Sequence, residues 1–310
     1  ENAFAAAVAV ACGATVAAKA TRAVESTVPM AARLVSACAC AAVVFAVVRI
    51  ASAERRYADA LVSHRDAADA DGSFINVDGV DVHYKRVTAP AAVRAVECMH
   101  GFGANVSSWT TSGTLRRLSE TLCADVSAHD SCGFGLTQRS KDVRRYTRTS
   151  DARACRAILR EMRAEERRSV TLVGHSLGAV GAALASAEGG VDHVVLVAPA
   201  LIPPRVGVKP RLNPSPKPVS LMTALCGALG RFATAVAVYA FAPFLKLFLR
   251  KIVRSATFWR RGLSKAVGRK CAPVFFTDMS WADGYRRPSC VKGWDDGMVS
   301  LFQCLYGQLV

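Results

Sequence analysis

From Gly72 onward the chain switches repeatedly between a two-residue and a 3.6-residue period of apolar positions. Phe74-Ile75-Asn76-Val77 and Val80-Asp81-Val82-His83-Tyr84 flank the turn pair Asp78-Gly79, which predicts a β-hairpin. His83 falls on the polar side of that alternation and is expected to be exposed. Ala95–Met99 is a short apolar strand, followed by a helix-like run over Ser108–Leu122 and a further strand over Ala124–Asp130. Asp151–Arg168 predicts a charged amphipathic helix, Ser169–Val173 a β-branched strand, Ser176–Ala187 a helix of small residues, and His193–Val197 another strand. Strands separated by helices at this spacing predict an α/β fold, a mostly parallel sheet with helices on both faces.

On either side of this region the pattern differs. Leu34–Val48 runs fifteen residues without a charge between Arg33 and Arg49, short of the roughly 20 that cross a hydrocarbon core. Extended back to Thr27, with both arginines reaching toward headgroups, it is long enough for a membrane anchor. Residues 1–33 are rich in Ala, Thr and Val with few acids, the composition of an organellar leader, and a start at Met30 would open a signal anchor. Glu54–Asp71 carries Ala and Leu at helical spacing and predicts a linker helix on which His64 is solvated. Beyond Ala200, the prolines from Pro203 to Pro218 predict stiff, irregular backbone. Val219–Leu245 is almost wholly apolar and, broken by Gly227, Gly230 and Pro243, predicts a pair of lid helices. Phe244–Arg254 interleaves apolar and basic residues and leads to Phe258-Trp259-Arg260-Arg261. The expected division is leader and anchor over 1–53, linker helix over 54–71, α/β core over 72–200, helical lid over 201–293, and a return toward the core over 294–310. The chain opens on Glu1 and stops at Val310 within a helical pattern, which reads as a gene product truncated before its last strands.

Charge sharpens this picture. The 310 residues carry a formal net charge of +16, very unevenly: from position 201 onward 17 Lys/Arg face 4 Asp/Glu, whereas the first 200 residues hold 23 against 20. Without a nucleic-acid-binding fold or an interleaved aromatic platform, this basic field is not assigned to nucleic acid. Two readings stay open, a basic face lying on an anionic membrane surface and an ordinary solvated basic surface. The eleven cysteines show no CxxC or metal-like spacing, and several lie in apolar runs. They read as reduced thiols in a non-oxidising compartment, with neither a disulfide framework nor a metal site.

The chemistry concentrates at Gly174-His175-Ser176-Leu177-Gly178, a GxSxG sequence between a predicted strand and a predicted helix. Such a turn projects a serine hydroxyl from strained backbone, needs small neighbours where backbone packs on backbone, and aims a helix N-terminus at developing negative charge. Seventy-four positions before Ser176 is Phe102, within His100-Gly101-Phe102-Gly103. Between them lies His129-Asp130-Ser131-Cys132-Gly133-Phe134-Gly135-Leu136-Thr137. These three motifs, in this order, resemble the nucleophile elbow, the oxyanion loop and the Asp-x-Pro-Gly-Phe-Gly-x-Ser/Thr turn of the α/β-hydrolase fold superfamily, with Ser131-Cys132 where x-Pro is usual. Tyr285-Arg286-Arg287-Pro288 and Val291-Lys292-Gly293-Trp294 resemble the end of the lid in plant and algal membrane-associated members. The resemblance covers positions 72–200 well and the remainder loosely.

The resemblance implies that Ser176 is an acyl-accepting nucleophile and that the backbone N–H groups of Phe102 and Leu177 form an oxyanion hole, with no cofactor and no metal. It implies structural roles for His175 and His100 and a turn-fixing role for Asp130. Serine at the elbow, rather than aspartate, sets the chain apart from epoxide hydrolases and haloalkane dehalogenases. The family order also implies an acid and then a histidine after the serine. The histidines are His64, His83, His100, His129, His175 and His193, and none lies beyond the strand that His193 opens. Asp278, Asp283, Asp295 and Asp296 precede the place where the acid-bearing strand should start, so no triad acid or histidine is assigned in this chain. As written, the chain is expected to hydrolyse little, because an unassisted serine hydroxyl is a weak nucleophile. The resulting expectation is a membrane-associated serine hydrolase of plastid or endomembrane, with its core in a reducing compartment, acting on a small-molecule ester or lipid. A non-catalytic binding scaffold and an acyltransferase stay open, as does the oligomeric state.

Overall fold

The computed structural model describes residues 30–167, 169–201 and 221–309 and divides into two units, residues 1–60 and 61–310. In the first, α1 (Met30–Asp59) is a single helix of 30 residues, about 45 Å long at 1.5 Å per residue. Its segment Val35–Asp59 is long and apolar enough to cross a membrane, and none of it is buried in the protein. The helix stops at Asp59, so the linker helix expected over 54–71 does not run through. Residues of the leader before Met30 lie outside the described residues.

The second unit opens with the hairpin β1 (Gly72–Val77) and β2 (Val80–Val87), in register from Gly72↔Lys85 to Val77↔Val80. Asp78 (φ 52°) and Gly79 (φ 81°) both have positive φ, the backbone that a two-residue turn needs if its twist is to match that of the strands. His83 is not exposed: β2 lies between β1 and β4 (Ala124–His129), and the ring is buried against Phe74. The alternation reads one face of β2 as wet, but Thr137 and Asp130, from the loop after β4, cover it.

With β3 (Arg94–Met99), β5 (Ser169–His175) and β6 (His193–Val197), the six strands form one sheet in the order β1-β2-β4-β3-β5-β6. β2 pairs antiparallel with β4, and β4, β3, β5 and β6 run parallel. Both faces of the central strands are buried, as a parallel sheet requires. Ala95, Met99, Val170 and Leu172 pack with Cys155, Ile158 and Leu159 of α4 (Arg148–Glu161) and with Ala182 and Ala185 of α5 (Gly178–Ser186). The alternate positions Val96, Cys98 and Val126 pack with Leu115 of α3 (Thr114–Leu122). The helix expected over 108–122 is split into α2 (Ser107–Thr110) and α3, because Gly113 between them is left-handed (φ 71°). At β6 the expectation of covered faces fails: Val194, Val195, Leu196 and Val197 are 38–47% exposed.

Beyond position 220 the structure is helical. The expected pair of lid helices is one helix, α6 (Leu221–Val253), of 33 residues with Pro243 inside it. Proline removes one helical hydrogen bond and crowds the preceding turn, but the following turns are held from outside. Lys246 and Arg250 pair with Asp296 and Asp295 of α10 (Trp294–Leu309), so the helix continues across the proline. Between them lie α7 (Ala256–Ala266), capped by the Ser255 hydroxyl, α8 (Val274–Thr277) and α9 (Met279–Arg286). The Pro-rich stretch from Pro203 to Pro218 lies outside the described residues.

Candidate active site

Ser176 sits at the turn between β5 and α5 with φ 50°, a left-handed conformation that a non-glycine residue adopts at a cost of roughly 1–2 kcal/mol. The surroundings hold it there. Its N–H donates to the Val197 carbonyl (3.0 Å), and its own carbonyl accepts from Ala179 N–H (3.2 Å) and Ala200 N–H (2.9 Å). The flanking glycines allow the close approach. A Cβ on Gly174 would lie 2.5 Å from Ala179 Cα, and one on Gly178 would fall on the carbonyl oxygens of Met99 and His100.

Facing Ser176 is the segment that follows β3. A Cβ on Gly101 would lie 2.9 Å from Ser176 Cβ, so the backbone leading into Phe102 passes beside the serine. The turn continues through Gly103 (φ 73°), with Ala104 N–H donating to the Gly101 carbonyl. The Phe102 side chain is exposed and meets Phe134 edge-on (5.4 Å between ring centres) and Phe302 of α10 (6.2 Å). His100, buried below, donates from Nδ1 to the Gly101 carbonyl (2.8 Å) and accepts from Ser131 N–H at Nε2 (3.0 Å). Those two bonds define its neutral tautomer, and burial, the leading cause, lowers its pKa.

The turn after β4 is built around the buried Asp130. Its carboxylate accepts from Val106 N–H, Leu136 N–H and His83 Nδ1–H, each at 2.7 Å. Burial alone would raise this carboxyl, but the His83 bond and charge outweigh it and hold the group well below the usual carboxylate range. Gly135 (φ 49°) is required here, because a Cβ would fall on the Asp130 carboxylate. A second buried network lies beneath the site. His129 donates from Nδ1 to Glu97 (2.6 Å) and from Nε2 to Asp151 (3.3 Å), and Arg148 reaches the other Asp151 oxygen (3.2 Å). Burial opposes its charge, yet the two carboxylates push its pKa up to about 10. Asp130 fixes its turn through backbone N–H groups, as the resemblance implies; its His83 partner and the His129 network were not expected, although Glu97, alone in an apolar strand, was a signal that a partner had to be buried with it.

The structure therefore brings Ser176, Leu177 and the Gly101–Phe102 backbone together, with the His175 ring also beside Gly101. Among the described residues no histidine hydrogen-bonds Ser176. His64 is not simply solvated, since it pairs with Asp81 (3.2 Å) and packs on Phe74. His83 is three strands from β5, about 14 Å at the usual strand spacing. Both nitrogens of His100 and His129 are engaged. His175 is exposed with its ring beside Gly101. His193 pairs in register with Thr171, four residues from the end of β5, about 13 Å away. Asp278 caps α9, Asp283 pairs with Arg286, and Asp295 and Asp296 hold α6. Among the described residues no group of three His, Cys, Asp or Glu is placed to hold a metal, and Cys38, Cys40, Cys98, Cys123, Cys132, Cys155, Cys271 and Cys290 are free thiols.

The family model of the alpha/beta hydrolases matches residues 98–307, more than half of the chain, and spans the elbow, the loop facing it and the Asp130 turn. The chain belongs to the alpha/beta hydrolase family. No curated protein sequence matches it. Similar solved structures include a predicted CIB-like hydrolase from Thermoplasma acidophilum, 23% identical over 41% of this chain and 62% of that one, with a TM-score of 0.36. An esterase from Exiguobacterium antarcticum is 22% identical over 42% and 46%, with a TM-score of 0.35. Epoxide hydrolase A from Mycobacterium thermoresistibile is 19% identical over 40% and 38%, with a TM-score of 0.34. The matched region spans less than two thirds of the length of each of these hydrolases.

Proposed function

We propose that this member of the alpha/beta hydrolase family is a membrane-associated serine hydrolase of carboxylic esters with apolar acyl groups. Ser176 Oγ would attack the acyl carbon, forming an acyl-enzyme as the alkoxy oxygen leaves with a proton; water would then release the acid. The amides of Phe102 and Leu177 would receive the oxyanion. The observation that carries the reading is the left-handed Ser176, held at a strand-to-helix turn with the Gly101–Phe102 backbone beside its Cβ. A serine there supports acyl transfer through a serine ester, and the apolar helices α6 and α10 support an apolar acyl group. The apolar length of α1 supports a membrane anchor.

A working triad would need an acid and a histidine that the described residues do not bring to Ser176, so slow ester turnover is expected of them. One observation favours the second reading, a binding scaffold that kept the fold: every histidine of the chain is either engaged elsewhere or not bonded to Ser176. A fluorophosphonate probe with peptide mapping separates the two, since oxyanion stabilisation alone leaves on the order of 10³-fold catalysis over water. Slow phosphonylation confined to Ser176, and lost in Ser176→Ala, supports the hydrolase. Equal labelling of Ser176→Ala, or none at Ser176 after prolonged exposure, overturns it.

A further inference from the structure

We propose that the outward side of α6 from Phe241 to Lys251 is a docking face for an anionic bilayer surface, separate from α1 and independent of any chemistry at Ser176. The two sides of this stretch are divided. Leu249 is buried, and Lys246 and Arg250 are spent on Asp296 and Asp295 of α10. On the other side Phe241, Phe244, Leu247 and Phe248 are 67, 70, 58 and 59% exposed. At 100° per residue these four, with the exposed Lys251 that follows, fall within an arc of about 120°. Three phenylalanines and a leucine on one face of one helix form a contiguous apolar patch of the kind that marks an interaction surface rather than chance exposure.

Charge selects the occupant. From His193 to Thr277, 85 consecutive positions contain no Asp or Glu, and 14 are Lys or Arg. On this outward face the apolar residues Phe241, Phe244, Leu247 and Phe248 come first and the basic Lys251 next. That order matches a surface with an apolar interior beneath a negatively charged layer: the rings enter the acyl boundary while Lys251 remains among the phosphates. A nucleic acid offers the phosphates but would leave the aromatic end in water, because a stacking groove needs rings and cations interleaved along its length. A protein partner would need its own acidic, apolar complement, whereas an anionic bilayer supplies both layers at once.

Oxidative footprinting by hydroxyl radicals, read by mass spectrometry on the full chain, reports the solvent access of these side chains directly. The chain is mixed with vesicles of phosphatidylcholine, or of phosphatidylcholine with 30% phosphatidylserine, so that α1 can engage both and lipid scavenging is matched. Oxidation of Phe241, Phe244 and Phe248 is expected to fall severalfold with the anionic vesicles relative to the neutral ones, and to recover at high salt. Lys251→Glu should abolish the difference; its side chain is exposed, so the fold is retained. Equal oxidation with the two vesicle types, or protection that survives the charge reversal, overturns the proposal. Protection by a single-stranded oligonucleotide without vesicles overturns it in favour of nucleic acid.

Discussion

The His129 cation between Glu97 and Asp151 makes alkaline pH a perturbation of known sign. A free histidine has a pKa of 6.5, whereas burial against two carboxylates raises His129 to about 10. The folded-state pKa is raised, so the stabilisation is complete below pH 6.5 and is lost as the pH climbs through 10. Between pH 7 and 8.5 the unfolded chain has released this proton and the native protein keeps it. Unfolding free energy therefore falls by up to about 1.4 kcal/mol per pH unit, or about 2 kcal/mol across the window. The window is well chosen. The lowered pKa of His100 acts below it, and the buried thiols of Cys98, Cys132 and Cys155, which burial pushes up, add slope only near pH 9. Urea unfolding followed by tryptophan fluorescence at pH 7, 7.5, 8 and 8.5 measures it. His129→Gln leaves two carboxylates facing each other and should be less stable at pH 7 by about 3–5 kcal/mol, with the slope gone. A wild-type stability that stays level from pH 7 to 8.5 would refute the buried-cation account, whether or not the variant folds.

Gly135→Ala places a methyl on the Asp130 carboxylate at a residue with φ 49°. Displacing that carboxylate loses three bonds to a charged group, each worth about 1.5–3 kcal/mol, so the urea midpoint should drop by the equivalent of about 4 kcal/mol or more; a loss under 1 kcal/mol contradicts the geometry. Acid also destabilises the protein, through the buried carboxylates. Asp130 and Asp151 are held well below the free value of 3.8 despite burial, so their contribution is present above pH 4 and lost below it, and near-ultraviolet circular dichroism should collapse there; a native spectrum at pH 2 counts against both networks. Gly178→Ala pushes the start of α5 off the Met99 and His100 carbonyls. It should reduce phosphonylation of Ser176 at least tenfold, and labelling at the wild-type rate would show that the elbow tolerates the shift.

Much of the core was legible because its elements are local. Asp78-Gly79 reveals a hairpin by its own backbone preference, His193–Val197 is bounded as the β-branched run suggests, and the elbow announces itself by small residues around a serine. What could not be read depends on residues distant in the chain. His83 is buried because a loop from positions 130–137 closes over it. Glu97, His129 and Asp151 meet only after two strands and a helix are assembled, so Glu97 in its apolar strand signals a buried partner without identifying it. Pro243 breaks no helix because α10, more than fifty residues later, grips the turns beyond it. The exposure of β6 was equally hidden, since the same five residues would read identically in a covered strand.

That exposure has a practical consequence. His-Val-Val-Leu-Val, uncharged and free of proline, forms the last strand of the sheet, and among the described residues nothing pairs with its outer side. Such an edge is a template for strand addition by a second molecule. Concentrated preparations of these 310 residues should be screened for β-rich multimers, and a lysine at an outward valine is the economical remedy.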